Sequence, residues 1–430
     1  MATSSLNNPL YQKTVLDNGV TIVTEQVSHV RSISLGAWIV TGSRDEDTEQ
    51  NGIAHFIEHM LFKGTQKRSA LEISKEIDSI GGILNALTSK EYTGLYVKVL
   101  DNTIDVAFDL LADIFLNSTF DQQEIERERE VIIQEIHLYE DTPDEHIQEL
   151  FSKAFLRDHP LAQPILGNVG TVGALNRENL ISFLRHKHYD PSRIIIAATG
   201  NLNHEQIVDG FSKSFGALAK VAGNSQPIRT PVEPVSSFSL HAKDLEQVHL
   251  CIGTKGIQQD HSLRYAGYVL NTILGGSMSS RLFQEIREKK GLAYSIYSYF
   301  SSFFDTGFFA VYLGVSNKMA EEAIKVVLSE LYKCKDNGIS EAELRNAKEH
   351  LKGNTLLASE SVDSRMTRLA KCEIYFKKFI SLQEILESID KVTVQDVKEL
   401  GQTIFDRNYL SLAALGPVSQ QNLTPDLLDA

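Results

Sequence analysis

The chain has 430 residues, too many for one hydrophobic core, and its 42% hydrophobic and 23% charged content is that of a globular protein. A net charge of −14 would repel phosphate backbones, so nucleic acid is not an expected partner. No apolar run approaches the ~18 residues that cross a bilayer, so no membrane partner is expected either.

Residues 14–16 and 20–23 read as a hairpin around the turn Asp17-Asn18-Gly19, and 33–40 as a strand containing Trp38. A polar loop, 42–51, leads to a helix over 52–62 that carries His55-Phe56-Ile57-Glu58-His59. Residues at i and i+4 of a helix point the same way, and Glu58 follows His55 by three, so two imidazoles and a carboxylate share one face. Zinc takes neutral imidazole nitrogens, and zinc-assisted hydrolysis needs a carboxylate beside the activated water. The order His-x-x-Glu-His is the inverted form of the commoner His-Glu-x-x-His zinc motif. Ile53, Ala54, Phe56, Ile57, Met60, Leu61 and Phe62 make this helix apolar on nearly every side. It should therefore be buried, and buried imidazoles and a buried carboxylate need partners that a metal would supply together. Only three letters of the motif are fixed, so the reading needs a third ligand from elsewhere in the chain.

A helix over 71–80 ends at Gly81-Gly82, a C-cap signal, and 92–100 alternates as a strand after 83–89. An amphipathic helix over 106–115 precedes an acidic one over 121–139, with Glu124, Glu126, Glu128, Glu130 and Glu135. Such a charge run usually marks a solvated face. Here Val131, Ile132, Ile133 and Ile136 bring apolar residues around Glu135, and Glu128 lies seven residues before it on the same face. A carboxylate on the apolar side of a helix points to a metal or a buried partner. Residues 140–192 read as mixed helix and loop, 193–199 as a strand and 204–215 as a helix. His137, His186 and His188 read as surface or packing residues.

Residues 219–237 hold Pro227, Pro231 and Pro234 with no apolar periodicity, a linker between an N-terminal domain at 1–218 and a C-terminal domain at 238–430. Beyond it the order of elements starts again. A strand at 248–253, an apolar helix at 262–274, a helix at 282–288 and strands at 294–300 and 307–314 follow. Helices at 319–334, 341–357, 362–372 and 394–405 and a strand at 409–414 complete the half. This order matches the first half with little identity, a duplication read from pattern. The helix at 262–274 stands in the place of the motif helix but carries Tyr265, Tyr268 and Asn271. Cys251, Cys334 and Cys372 are far apart, lack metal-ligand spacing and read as reduced thiols of a cytosol-like compartment. Residues 1–12 carry no charged side chain and resemble neither a secretion signal nor an Arg-rich transit peptide. A cytoplasmic, bacterial-type location is expected, although a mitochondrial matrix protein with its presequence removed would look the same.

These residues resemble the pitrilysin or insulysin-like zinc metallopeptidases along nearly the whole chain, and within them the small bacterial relatives of the mitochondrial processing peptidase β subunit. The family's third ligand is a glutamate about 76 residues after the second histidine, in a Glu-x6-Glu pair; Glu135 stands at that distance from His59, and Glu128 completes the pair. The resemblance implies an α+β fold of two homologous halves, each a mostly antiparallel sheet packed with helices, closing like a clam around a peptide. It implies one zinc ion per chain on His55, His59 and Glu135, with Glu128 supporting a ligand histidine and Glu58 as general base. Gly81-Gly82-Ile83-Leu84-Asn85-Ala86 resembles the segment leading to the strand edge on which substrate lies, which makes Asn85 and Ala86 backbone-binding residues. Arg287 through Tyr294 resembles the family's Arg-x6-Tyr segment, which gives those two residues substrate-binding roles, with Tyr294 able to donate to a developing oxyanion. The short Gly275-Gly276-Ser277-Met278 is unlike the long glycine-rich loop of the noncatalytic α subunit and suits a self-sufficient homodimer. The expected function is metalloendopeptidase action on peptides or unfolded polypeptides, in presequence removal or general peptide degradation. The alternatives are a noncatalytic scaffold or a peptide-binding homologue of the same fold.

Overall fold

The computed structural model describes residues 10–220, 227, 229–419 and 423–429. Residues 1–9 and most of 221–228, which include the uncharged start and part of the expected linker, lie outside the described residues. In the first half of the sequence, β1 (Leu10–Val15), β2 (Thr21–Gln26) and β3 (Ser32–Ile39) precede α1 (Ile53–Leu61) and α2 (Ala70–Ser79). Then come β4 (Ile83–Thr88), β5 (Thr93–Leu100), α3 (Ile104–Asn117), α4 (Gln122–Glu140), α5 (Pro143–Leu156), α6 (Val169–Ala174), α7 (Arg177–Phe183), β6 (Ile194–Gly200) and α8 (His204–Phe215). The second half has β7 (Phe238–Ala242), β8 (Val248–Lys255), α9 (Arg264–Leu274), a π-helical stretch at Phe283–Lys289, β9 (Ala293–Ser302) and β10 (Gly307–Val315). It ends with α10 (Ala320–Asn337), α11 (Glu341–Ala358), α12 (Val362–Phe376), α13 (Leu382–Lys391), α14 (Val394–Ile404) and β11 (Ser411–Gly416).

The strand orders make the duplication explicit. One sheet runs β1-β2-β6-β3-β5-β4 and the other β7-β11-β8-β10-β9. Setting β1 aside, each begins with a parallel pair, β2 with β6 and β7 with β11, and continues antiparallel to the edge. The fold is thus α+β, built twice on one topology.

Both faces of each sheet are apolar. In β3, Ile33, Leu35, Ala37 and Ile39 enter one core while Trp38 enters another on the opposite face. In β6, Ile194, Ile196 and Ala198 face one way, and Ile195 and Ala197 the other. This alternation explains the unbroken apolar run at 194–198, since a strand covered on both sides has no polar face. The second sheet repeats the arrangement: Phe309, Val311 and Leu313 of β10 lie on one face, Phe308, Ala310 and Tyr312 on the other.

The second cover of each sheet comes from the other half of the sequence. The described parts of Met1–Ile136, Gln163–Arg229 and Leu357–Ile380 form one compact unit, and His137–Ala162, Thr230–Leu356 and Ser381–Ala430 the other. Compactness therefore divides the chain differently from the contiguous 1–218, 219–237 and 238–430 scheme. Helix α5 packs Ile147, Phe151 and Phe155 against Cys251, Phe308 and Tyr312. Helix α12 packs Met366, Leu369, Ala370 and Ile374 against Trp38, Ile195 and Ala197. The physical reason is the two-faced sheet, which needs an apolar helix wherever the chain can supply one.

Polar contacts fix α12. The Glu25 carboxylate of β2 is fully buried and accepts from Arg365 Nη1 at 2.8 Å and from Arg368 Nη2 at 3.1 Å. Trp38 Nε1 donates to Met366 Sδ at 3.2 Å. Glu25→Ala would leave both guanidinium groups without this acceptor and should destabilise the first unit by about 3 kcal/mol. Trp38 is the chain's single tryptophan and sits under α12, so its fluorescence during denaturant unfolding measures this loss directly.

Candidate metal centre

Helix α1 begins at Gly52, whose φ of +98° suits glycine, and lacks a side-chain cap from that residue. The helix is buried along Ile53, Ala54, Phe56, Ile57, Met60 and Leu61. Its polar face presents His55, Glu58 and His59. Helix α4 buries Ile125, Glu128, Ile132 and Ile136, which brings Glu135 up beside that face.

Among the described residues, His55, His59 and Glu135 form the group of three whose ligand atoms all lie within 4.8 Å of one another. Glu135 Oε2 is 3.4 Å from His59 Nε2 and 3.7 Å from His55 Nε2. Ligand atoms ~2.1 Å from a tetrahedral zinc lie ~3.4 Å apart, close to both of these separations. The Glu135 side chain is 42% exposed, which leaves the group open on one side.

The supporting contacts assign the nitrogens. Glu128 is buried, and its Oε2 lies 3.1 Å from His59 Nδ1. A carboxylate only accepts, so Nδ1–H donates to Glu128, and in the neutral ring this frees the Nε2 lone pair for a metal. Glu128 Oε1 accepts from Lys63 Nζ at 2.6 Å, which balances the buried charge. Burial, reinforced by the charge of His59, pulls His55 down to about 4, against the opposing pull of Glu135. The ring is therefore neutral at physiological pH, as a metal ligand must be. Burial also pulls His59 down, but hydrogen bonds with Glu135 and Glu128 together outweigh it, and its pKa lies above the ordinary histidine value. The hydrogen bond with His59 holds Glu135 below the usual carboxylate range.

Glu58 stands outside the three-residue group. Its Oε2 accepts from Thr88 Oγ1, the last residue of β4, at 2.5 Å. Burial raises its pKa against the lowering effects of Thr88 and His59. Among the described residues, β4 is an edge strand paired with β5. On it Asn85 is exposed, and the Ala86 N–H donates to Asn85 Oδ1 at 2.8 Å rather than into the ladder.

Arg287 and Tyr294 belong to the second unit. The Arg287 guanidinium lies 4.6 Å from the Tyr294 ring centroid and 4.8 Å from that of Phe283, and Tyr294 is 78% exposed. Those two residues are thus together. Thr88 and Lys63, absent from the sequence reading, contact Glu58 and Glu128. Lys63 lies four residues past His59, a spacing that could have flagged it; Thr88 had no comparable signal.

A model of the insulinase family, peptidase family M16, matches residues 21–169, and one described as the peptidase M16 inactive domain matches 174–351. The uncharacterized zinc protease YmxG of Bacillus subtilis is 43% identical over 402 residues, 93% of this chain and 97% of that protein. An uncharacterized zinc protease of Streptomyces coelicolor is 40% identical over 418 residues, 95% of this chain and 90% of that protein. A protease from Helicobacter pylori has a similar fold, with a TM-score of 0.89 at 23% identity, covering 95% of this chain and 99% of that one. The structure titled peptidase M16 inactive domain from Pseudomonas fluorescens gives a TM-score of 0.87 at 21% identity, covering 95% and 98%. The chain belongs to the insulinase family of peptidases, family M16.

Proposed function

We propose that this chain is a zinc-dependent endopeptidase holding one zinc ion on His55, His59 and Glu135, with Glu58 as its general base. The observation that carries the reading is the convergence of two imidazole Nε2 atoms on one Glu135 oxygen, with Glu128 behind His59. A zinc ion held there supplies Lewis acidity toward a peptide carbonyl and lowers the pKa of water toward ~7. Glu58 takes the proton of the attacking water and returns it to the leaving amine. The Thr88 hydroxyl orients one Glu58 oxygen and leaves the other free. Peptide adds as a strand to the open edge of β4, with the exposed Asn85 and its neighbour Ala86 as the backbone-binding residues. Arg287 and Tyr294 are substrate-binding residues in this reading, Tyr294 donating to the developing oxyanion; their stacking supports a joint role. A homodimer is part of the same proposal and rests on the family resemblance. The bacterial relatives and three cysteines outside any disulfide support a cytoplasmic location. No helix among the described residues is long and apolar enough to cross a membrane.

Glu58→Gln should keep one zinc per chain by elemental analysis and lower turnover of a quenched peptide by about 10²–10⁴-fold. Cleavage at the wild-type rate would remove Glu58 from the role of base. Zinc-loaded protein that binds peptide and never cleaves it would instead be the noncatalytic homologue. Glu128→Ala should weaken zinc affinity by about 10–100-fold in competition with a chromophoric chelator.

Zinc uptake also has a pH signature. His59 has a raised pKa and must lose its proton to become a ligand, so affinity falls as pH drops through that pKa. His55, at about 4, adds nothing to this effect above pH ~5. Calorimetry in buffers of different ionisation enthalpy should show proton release that grows as pH is lowered through the His59 pKa. Release that stays flat across that pKa would contradict the assignment.

A further inference from the structure

Helix α1 starts in an unusual way. The N–H groups of a first turn have no intrahelical partner, and a side chain at the cap position normally takes one of them. Gly52 occupies that position here and has no side chain to offer. A cap with a side chain is sterically excluded: a Cβ on Gly52 would meet Leu166 O at 2.7 Å and Gly167 Cα at 2.9 Å.

The missing acceptor comes from six residues upstream. Glu46 Oε1 accepts from Ala54 N–H at 2.9 Å. Glu46 Oε2 accepts from Gly52 N–H and from Asn51 Nδ2, both at 2.8 Å. The carboxylate is 8% exposed. Asn51 Nδ2 also reaches Pro164 O at 2.9 Å, which ties the same corner to a second loop. His55 is the next residue after Ala54, in the first turn, whereas His59 lies a full turn deeper. Fraying of this turn would therefore displace His55 before His59.

We infer that Glu46 is a positioning residue for the metal centre: it caps α1 from outside the helix and thereby holds His55 Nε2 toward Glu135. Burial pushes the Glu46 carboxyl up to about 7, against three hydrogen bonds and the charge of Lys90 that pull it down. A buried carboxylate kept at that cost, when ordinary caps are exposed Ser, Thr, Asp or Asn, fits a demand for exact placement rather than for helix stability alone.

The inference rests on the zinc reading, and the test separates the two. Zinc affinity is measured by chelator competition at a temperature well below unfolding, for wild type, Glu46→Ala, Glu46→Gln, His55→Ala and the double variant of Glu46→Ala with His55→Ala. Glu46→Ala should weaken zinc by about 10–100-fold, and Glu46→Gln, which keeps an acceptor for Ala54 N–H, by about threefold. The double variant should bind no more weakly than His55→Ala alone, because Glu46 acts through that ligand. Folded Glu46→Ala with wild-type affinity overturns the proposal, as does a Glu46→Ala penalty that persists in full without His55. If Glu46→Ala does not fold, Glu46→Asp serves in its place: one methylene short of the turn, it should lose at least about 10-fold in affinity, and wild-type affinity overturns the proposal. Wild type that takes up no zinc ends the zinc reading and this proposal with it.

Discussion

One carboxylate oxygen facing two imidazole nitrogens sets the demands on the first unit. Glu135 Oε2 reaches His59 Nε2 and His55 Nε2 only if α1 and α4 lie at a fixed rotation and distance. A buried pair of rings beside an acid is costly unless each polar atom has a partner. The surrounding structure supplies most of them: Glu128 takes His59 Nδ1, Lys63 neutralises Glu128, Thr88 holds Glu58 and Glu46 takes the Ala54 and Gly52 amides at the start of α1. His55 Nδ1 is buried without a hydrogen bond, as is Asn51 Oδ1. The His55 ring compensates by staying neutral, with burial lowering its pKa to about 4.

The two halves show what the duplication preserved and what it let go. Topology is common to both from the parallel pair to the edge strand. Helix α9 is apolar and buried like α1, with Val269, Leu270, Ile273 and Leu274 in the core, yet it carries tyrosines and an asparagine where α1 carries its histidines. Packing is common to the two helices while the histidines are not. The second family model, described as an inactive domain, covers this same region.

Much of this was legible in the chain, and the exceptions have physical reasons. The histidine pair and Glu58 follow from helical period alone, because i, i+3 and i+4 share a face. Glu135 stood out because isoleucines surround it, and the family spacing then singled it out. The run at 194–198 announced a strand, which the structure buries on both sides. Helix α13 went unread although Ser381 and Glu384 form a capping box and Leu382, Ile385, Leu386 and Ile389 follow helical spacing. Strand β7 was hidden because its partner β11 lies far along the chain and no local turn announces the pairing. Glu46 and Thr88 were invisible for a related reason: their roles depend on where loops and strand ends come to rest, which no period encodes. Nor does an amphipathic pattern say which sheet a helix will cover, so the exchange of α5 and α12 could not be read from either segment.

That exchange reaches into the order in which the protein can be made. The first sheet has all its strands once residue 200 has been synthesised, but the helix that shields its Trp38 face comes from Val362–Phe376. Until that late segment leaves the ribosome, Trp38, Ile195 and Ala197 stay exposed to water and to other nascent chains. Contacts this distant in sequence slow folding and lengthen exposure of sticky surface. The first unit is thus completed only by a segment made after most of the second, so order of synthesis and order of packing do not coincide.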